Sequence, residues 1–345
     1  MPPLASAARV CRAATITAWI PLALLVASCA QPPATGADDE ILLLCEPPLT
    51  PSALEPLQHL CSTGIPWLAP EESRFRPTLA ASGGAVRRPR DKTVIVVGGL
   101  DPPGTWSRAL RDRIPDADRA GLAARGAGWF VWRDVWAAGQ EVHLLLARGE
   151  SALDSMLHES GTDLLRFLEQ SMLARAEMRL QPYLKNSSAQ ACQQRHGFRL
   201  AFPPEYSAVL DLAPPCLVEL AAPGPTRTIA VLRFEDVDAA RMSDRDYLFA
   251  MQRLALGSLH GDTLVEPGAS LSTREDPAER AVLRGMWRNP KDVGGGPVVT
   301  HFVYDAANRR LYAAQAQLFA PGRRKQAFLV ELEAMLCSLR LEGNP

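Results

Sequence analysis

Apolar positions along this chain fall in short runs of strand length that alternate with stretches of helical spacing, and proline pairs and glycines separate them. Ile41 to Cys45 is a continuous apolar run closed by Pro47-Pro48. Thr93 to Val97 is a second, ended by Gly98-Gly99, and both read as buried strands. Between them Leu54, Leu57 and Leu60 or Cys61 share one helical face, with Ser52 and Glu55 spaced as a capping box. Ser82 to Asp91 reads as a loop, and a helix is expected around Trp106 to Ile114. Gly128 to Ala147 alternates in polarity and turns at Ala138-Gly139, as a hairpin does. Glu150 to Leu184 is helical, with a break expected near Gly161.

The second half repeats this grammar. Phe198 to Phe202 reads as a strand, Pro203-Pro204-Glu205 as a turn and Ser207 to Leu212 as the returning strand. Thr228 to Phe234 is another strand, and Ser243 is placed to cap a helix carrying Leu248, Met251, Leu254 and Leu259. Ala281 to Trp287 is a strand, Pro297 to Ala320 a hairpin turning at Asp305 to Asn308, and Gly322 to Cys337 a final helix. Each half thus ends in a hairpin and a helix. The expected fold class is α+β: two tandem α/β sandwich-type domains, with antiparallel sheets and helices packed on them. They span residues 41–190 and 191–345, behind a signal peptide (1–28) and a short disordered tether (29–40).

Composition supports two globular domains, since 345 residues with 47% hydrophobic and 22% charged content can bury two cores. A net charge of −1 gives no electrostatic basis for binding nucleic acid.

The N-terminus is more specific. Arg9 and Arg12 precede a nearly uncharged apolar run from Ala13 to Val26, too short and too broken to read as a membrane span. Val26-Ala27-Ser28-Cys29 follows, small residues and then a cysteine, which resembles the lipobox of bacterial lipoproteins. That resemblance implies cleavage before Cys29 and a lipid anchor on it, stable when more than one acyl chain is attached. Ala30 to Glu40 reads as a disordered tether lifting the fold off the bilayer. Ala30, rather than an aspartate, after the lipidated residue points to an outer membrane facing the periplasm.

Candidate chemistry is sparse. The six histidines form no H-E-x-x-H motif, and the cysteines no C-x-x-C, so no metal or cofactor is expected. Gly294-Gly295-Gly296 is followed by Pro297 and a strand rather than a helix, which favours a flexible entry to a hairpin over a phosphate loop. Asp236, Asp238, Asp244 and Asp246 suit helix capping better than calcium. His143 either faces outward or is a satisfied core group, and Trp132 and Trp136 share a strand face that Trp129 does not. Export to an oxidising compartment raises the question of disulfides among the five remaining thiols. A strand–helix pair keeps Cys45 and Cys61 too far apart. A turn at Pro203 to Tyr206 sets Cys192 nearly opposite Cys216, the bridge expected here.

Several segments carry a family resemblance. Ile41 to Leu44, Gly64-Ile65-Pro66 to Phe75, and Asp134-Val135-Trp136-Ala137 with Gln140 resemble a bacterial lipoprotein family catalogued as domain of unknown function 4837. So, more strongly, do Arg284-Gly285-Met286-Trp287, Gly295-Gly296-Pro297-Val298-Val299 and Phe319 to Lys325, although Val298 stands where the family has an aromatic. The second half also resembles the PsbP-like fold, through Gly197-Phe198 to Pro203 and the Leu311-Tyr312 strand with its closing helix. The resemblances imply anchoring and an accessory role, and no activity. The expectation is therefore a non-catalytic envelope lipoprotein binding a protein or glycan partner, with Trp287, Arg323, Arg324 and Lys325 as the candidate partner-binding face. The alternative is an envelope hydrolase with an unrecognised site.

Overall fold

A computed structural model describes residues 31–80, 88–185, 187–210, 212, 215–273 and 280–341. In the first half, β1 (Glu40–Cys45) leads through a short 3-10 turn into α1 (Glu55–Ser62), followed by β2 (Arg76–Ala80) and β3 (Thr93–Gly99). Two short helices, α2 (Thr105–Arg111) and α3 (Asp116–Arg125), precede β4 (Ala127–Arg133), β5 (Glu141–Ala147) and the long α4 (Glu150–Leu180). The five strands form one sheet in the order β2-β1-β3-β5-β4. The hairpin expected over 128–147 is present, with Arg133 opposite Glu141 and Ala127 opposite Ala147. The remaining pairings, β1 with β2, β1 with β3 and β3 with β5, are parallel, which corrects the expectation of an antiparallel first sheet. Every residue of β3 and of β5 is buried. Such continuously buried strands belong to a sheet covered on both faces, the setting of parallel strands. Leu57, Cys61, Leu153 and Leu164 of α1 and α4 cover one face, and Leu110, Ile114 and Leu122 at α2 and α3 the other.

The expected break in α4 is absent. Gly161 is where α1 crosses it, and a Cβ there would stand 3.0 Å from Leu60 Cδ2. The glycine serves close helix packing rather than ending the helix.

In the second half, α5 (Ser187–His196), β6 (Phe198–Arg199), β7 (Ser207–Leu210), β8 (Cys216–Ala222) and β9 (Thr226–Phe234) come first. There follow α6 (Arg245–His260), β10 (Thr263–Thr273), β11 (Arg280–Asn289), β12 (Gly294–Asp305), β13 (Arg310–Phe319), α7 (Gln326–Cys337) and β14 (Arg340–Leu341). A seven-stranded antiparallel sheet, β10-β11-β12-β13-β9-β8-β7, has α7 on one face and α6 on the other. The closing hairpin turns where the pattern placed it, with Asp305 opposite Arg310.

Two further expectations are corrected. The strand at Phe198 does not return on itself at Pro203-Pro204: β6 pairs with β14, and β7 with β8. Cys192 therefore lies on α5, not on a strand opposite Cys216, and the two pack in cores on opposite faces of the sheet. Both thiols are free and buried, as are Cys45, Cys61 and Cys337, so the Cys192–Cys216 bridge is absent. Part of the segment read as a disordered tether is ordered. Pro33 bridges Ala138 and Thr35 bridges Asp91, in parallel, so residues 33–35 are stitched to the first sheet's edge loops.

The two halves share a core. Ile65, Leu68, Ala176 and Leu180 from the first half pack with α7 and the second sheet, and Val330 of α7 touches both cores.

Candidate functional site

The residues expected to meet a partner are best described from the seam between the halves. Glu72 reaches the start of α7 from the first half. Its Oε2 accepts from Lys325 N at 2.7 Å and Gln326 N at 3.3 Å, and its Oε1 from Lys325 Nζ at 3.1 Å. A carboxylate at a helix N-terminus satisfies orphan N–H groups and complements the dipole. Its presence also resolves the sequence misfit of three cations at a helix start. Arg324 donates to Asp39 Oδ2 at 3.1 Å and to the Ser73 carbonyl at 2.7 Å. Arg324 and Lys325 are thus engaged inside the molecule, whereas Arg323 is exposed, with one contact to the Gly224 carbonyl at 3.3 Å. Nothing local to Glu72 in the sequence signals this role.

The seam continues along α4. Asp38 pairs with Lys92 at 3.0 Å, Arg179 at 2.7 Å and Arg175 at 3.4 Å. Burial works to raise the Asp38 carboxyl, but the hydrogen bonds and charges of Arg179 and Lys92 outweigh it and hold it below its ordinary value. Glu169 pairs with Arg74 at 2.9 Å. Burial nevertheless pushes its carboxyl up, and Glu333, paired with Arg284 on the facing elements, adds to the rise.

A second polar cluster lies inside the first sheet. His143 is fully buried, its Nε2 2.9 Å from Glu141 Oε1 and its Nδ1 accepting from Trp129 Nε1 at 3.1 Å. With Nδ1 accepting, Nε2 carries the proton and donates it to Glu141. Ser171 Oγ donates to Glu141 Oε2 at 2.8 Å. Burial acts to raise Glu141, but the bonds from His143 and Ser171 and the charge of Arg175 hold it below the ordinary value. Ser171 does meet a carboxylate, but Glu141 is held below its ordinary value, a poor base, and both imidazole nitrogens are occupied. All three groups are buried from any substrate, so this cluster is the satisfied core group that one reading of His143 anticipated. Trp129 faces it, while Phe130 and Trp132 pack on the opposite sheet face, as period-two counting places them.

Two of the depressions on the described surface gather charged side chains. One of about 660 Å³ lies beside α6 and is lined by Arg233, Glu235, Asp238, Arg241 and Tyr247, among others. Most of its charges are spent locally: Glu235 pairs with Arg233 at 2.7 Å and Arg310 at 2.8 Å, and Arg241 with Asp244 at 2.9 Å, while Asp236 is exposed. Asp238 and Asp244 accept from Ala240 N and Tyr247 N, the capping role the spacing suggested. Hydrogen bonding by Tyr247 N, then by Arg241, lowers the Asp244 carboxyl. The other, of about 270 Å³, gathers Arg111, Arg119 and Arg148, whose guanidiniums donate to the Leu100, Ile114 and Ala123 carbonyls. At the nearby C-terminal end of β3, where open α/β sheets bind anions, Glu46 already accepts from Trp106 N at 2.6 Å and Ser107 N at 2.7 Å.

The glycine run sits at the start of β12. A Cβ on Gly296 would stand 2.0 Å from the Leu318 carbonyl oxygen, so close strand approach explains this glycine. Trp287 lies opposite it, half-buried, with an indole N–H that has no hydrogen-bond partner. Val293, at the hairpin tip, is fully exposed. Cys29 lies outside the described residues. Among the described residues, no group of three or more His, Cys, Asp or Glu is placed to hold a metal, and no helix is long and apolar enough to cross a membrane.

Residues 264–338 match the family described as Domain of unknown function (DUF4837). The match takes in most of β10 to β13 and α7, and with them the three strongest segments of the resemblance, Arg284–Trp287, Gly295–Val299 and Phe319–Lys325. No curated protein matches the chain. Among solved structures, the chain is similar to the crystal structure of LpqN, involved in cell envelope biogenesis of Mycobacterium tuberculosis. That similarity has a TM-score of 0.29 and 12% identity, over 42% of this chain and 83% of that one, too slight to carry fold or function across.

Proposed function

We propose that this protein is a lipoprotein of the bacterial cell envelope, anchored through Cys29 and acting by binding rather than catalysis. One observation carries the reading: the coincidence of Arg9 and Arg12, the apolar run to Val26, and Val26-Ala27-Ser28-Cys29 at the distance a lipobox requires. Ala30 in the following position favours an outer membrane facing the periplasm. A binding role is supported by the described charged clusters, most of whose members are spent on one another or on backbone groups rather than gathered around a nucleophile. The partner is an envelope protein or glycan. Its contact narrows from the four candidate residues to Trp287 and Arg323, at one end of the second sheet, because Arg324 and Lys325 are occupied by the first half.

The test is metabolic labelling with a fatty acid in a bacterial host. The native chain is expected to take up label and fractionate with membranes, and Cys29→Ser to take up none. Label retained by Cys29→Ser, or absent from the native chain, rejects the anchor. Partner capture that is unchanged by Trp287→Ala together with Arg323→Glu rejects the contact.

A further inference from the structure

The stitched N-terminal segment decides how an anchored protein would sit. Gln31 Nε2 donates to the Asp134 carbonyl at 3.1 Å, Ala138 N to Pro32 O at 2.9 Å, and Ala34 N to Ala138 O at 2.8 Å. Thr35 N donates to Arg90 O at 2.7 Å, and Lys92 N to Thr35 O at 3.1 Å. The chain is therefore held from Gln31 onward, and three peptide links separate Cys29 from Pro32. Three extended residues span at most about 11 Å. That is comparable to the roughly 5–8 Å of headgroup region on each side of a bilayer's hydrocarbon core. A lipid on Cys29 cannot leave this end of the fold far from the membrane.

The surface around that point has a charge suited to it. Arg88, Arg90 and Arg133 are exposed there, on the loop that leads into β3 and at the end of β4. Lys92 is spent on Asp38, and Arg133 retains 74% side-chain exposure despite a 3.9 Å approach to Glu141. The acidic groups facing them are Asp91, half-buried, Asp134, whose Oδ1 accepts from Gly139 N at 2.6 Å, and Glu141, buried and bonded by His143 and Ser171. Among the described residues three exposed cations thus meet three carboxylates, two of them committed elsewhere in the fold.

We propose that this end of the first sheet, carrying Gln31 to Thr35, Arg88 to Asp91 and Arg133 to Gly139, lies flat against the bilayer, with Arg88, Arg90 and Arg133 on anionic lipid headgroups. The inference rests on the anchored reading above. Cations near an anionic surface add to a lipid anchor. They also fix orientation, because an acyl anchor alone leaves a body free to tilt. The Gly294 end of β12 lies beside Leu318, close to Arg324, which bonds to Asp39 at the start of the first sheet, so the Asp305–Arg310 turn, twelve residues along β12, is the end that points away.

Lipid-quenching fluorescence tests the orientation. The five described cysteines are buried, so a fluorophore on Ala138→Cys or, as the distal control, on Ala307→Cys labels selectively. The acylated protein is placed in phosphatidylcholine vesicles with about a third phosphatidylglycerol and nitroxide-bearing headgroups. Quenching at 138 is expected to exceed that at 307 by about threefold or more, and to fall by about half when Arg88, Arg90 and Arg133 are all changed to Glu. Equal quenching at the two sites with Cys29 acylated overturns the inference alone. Unchanged quenching in the triple variant removes the cations from it and overturns it as stated. A Cys29 that intact mass finds unacylated overturns the anchored reading and this inference with it.

Discussion

At the residue scale, single carboxylates carry the most weight. Glu72 joins the halves by capping α7 and pairing with Lys325, both side chains about nine-tenths buried. Removing it leaves two helix N–H groups unmatched and a buried ammonium with no counter-charge on Glu72, only the Arg323 carbonyl at 3.4 Å. Glu72→Ala is expected to cost about 3 kcal/mol in denaturant unfolding. Lys325→Met keeps the cap and fills the same space, and is expected to cost about 1 kcal/mol or less. Similar costs for the two would mean that the ion pair, not the cap, dominates. Asp38 and Glu141 set a pH dependence. Both are held below the ordinary carboxylate value in the fold. Between the folded and unfolded values the unfolded chain therefore binds more protons. The stability they contribute is present above the ordinary carboxylate range and is lost as pH falls through the folded values. Glu169, pushed up, contributes in the opposite sense as pH rises. Glu141→Gln is thus expected to be less stable at neutral pH and to show a shallower acid loss, read from unfolding midpoints between neutral and acid pH. An acid limb as steep as the native one would refute this.

At the element scale, pattern predicted the strands and helices well and their partners poorly. The β12–β13 turn, α6 and α7 stand close to where periodicity put them, because local spacing alone decides which face of such an element can be buried. The partner of β6 was not legible. Phe198-Arg199 is a two-residue strand, and its pairing with Arg340-Leu341 closes a loop of some 140 residues that no local signal marks. Parallel pairing in the first sheet could have been read from the unbroken runs at Thr93–Val97 and Leu144–Ala147, which have no polar face to turn to water, whereas Glu141 and His143 ahead of the second run point instead to alternation. The glycine run gives a test at this scale. Gly296→Ala meets a backbone oxygen that cannot move aside and is expected to cost about 2 kcal/mol or more. Gly294→Ala meets nothing nearer than 3.9 Å and is expected to stay within about 0.5 kcal/mol. Equal effects in thermal unfolding would show that backbone flexibility, not close approach, selects these glycines.

At the scale of the whole molecule, the halves are expected to unfold together. Ile65, Leu68, Ala176 and Leu180 complete the second core from the first half. A chain of residues 191–345 alone is therefore expected to show no cooperative thermal transition, while the entire protein shows one. Two separate transitions in the entire protein, or a cooperative melt of the fragment, would contradict a shared core. The sequence by itself determined the α+β class and the positions of most elements, because these depend on composition and on spacing within a dozen or so residues. Only the tertiary structure decided that Arg324 and Lys325 turn inward and that Cys192 and Cys216 stay apart. The same holds for the pinning of Pro33 and Thr35 beside Arg90 and Ala138. In each case the partner lies far along the chain, and its position is set by how the sheets and helices pack rather than by any neighbouring residue.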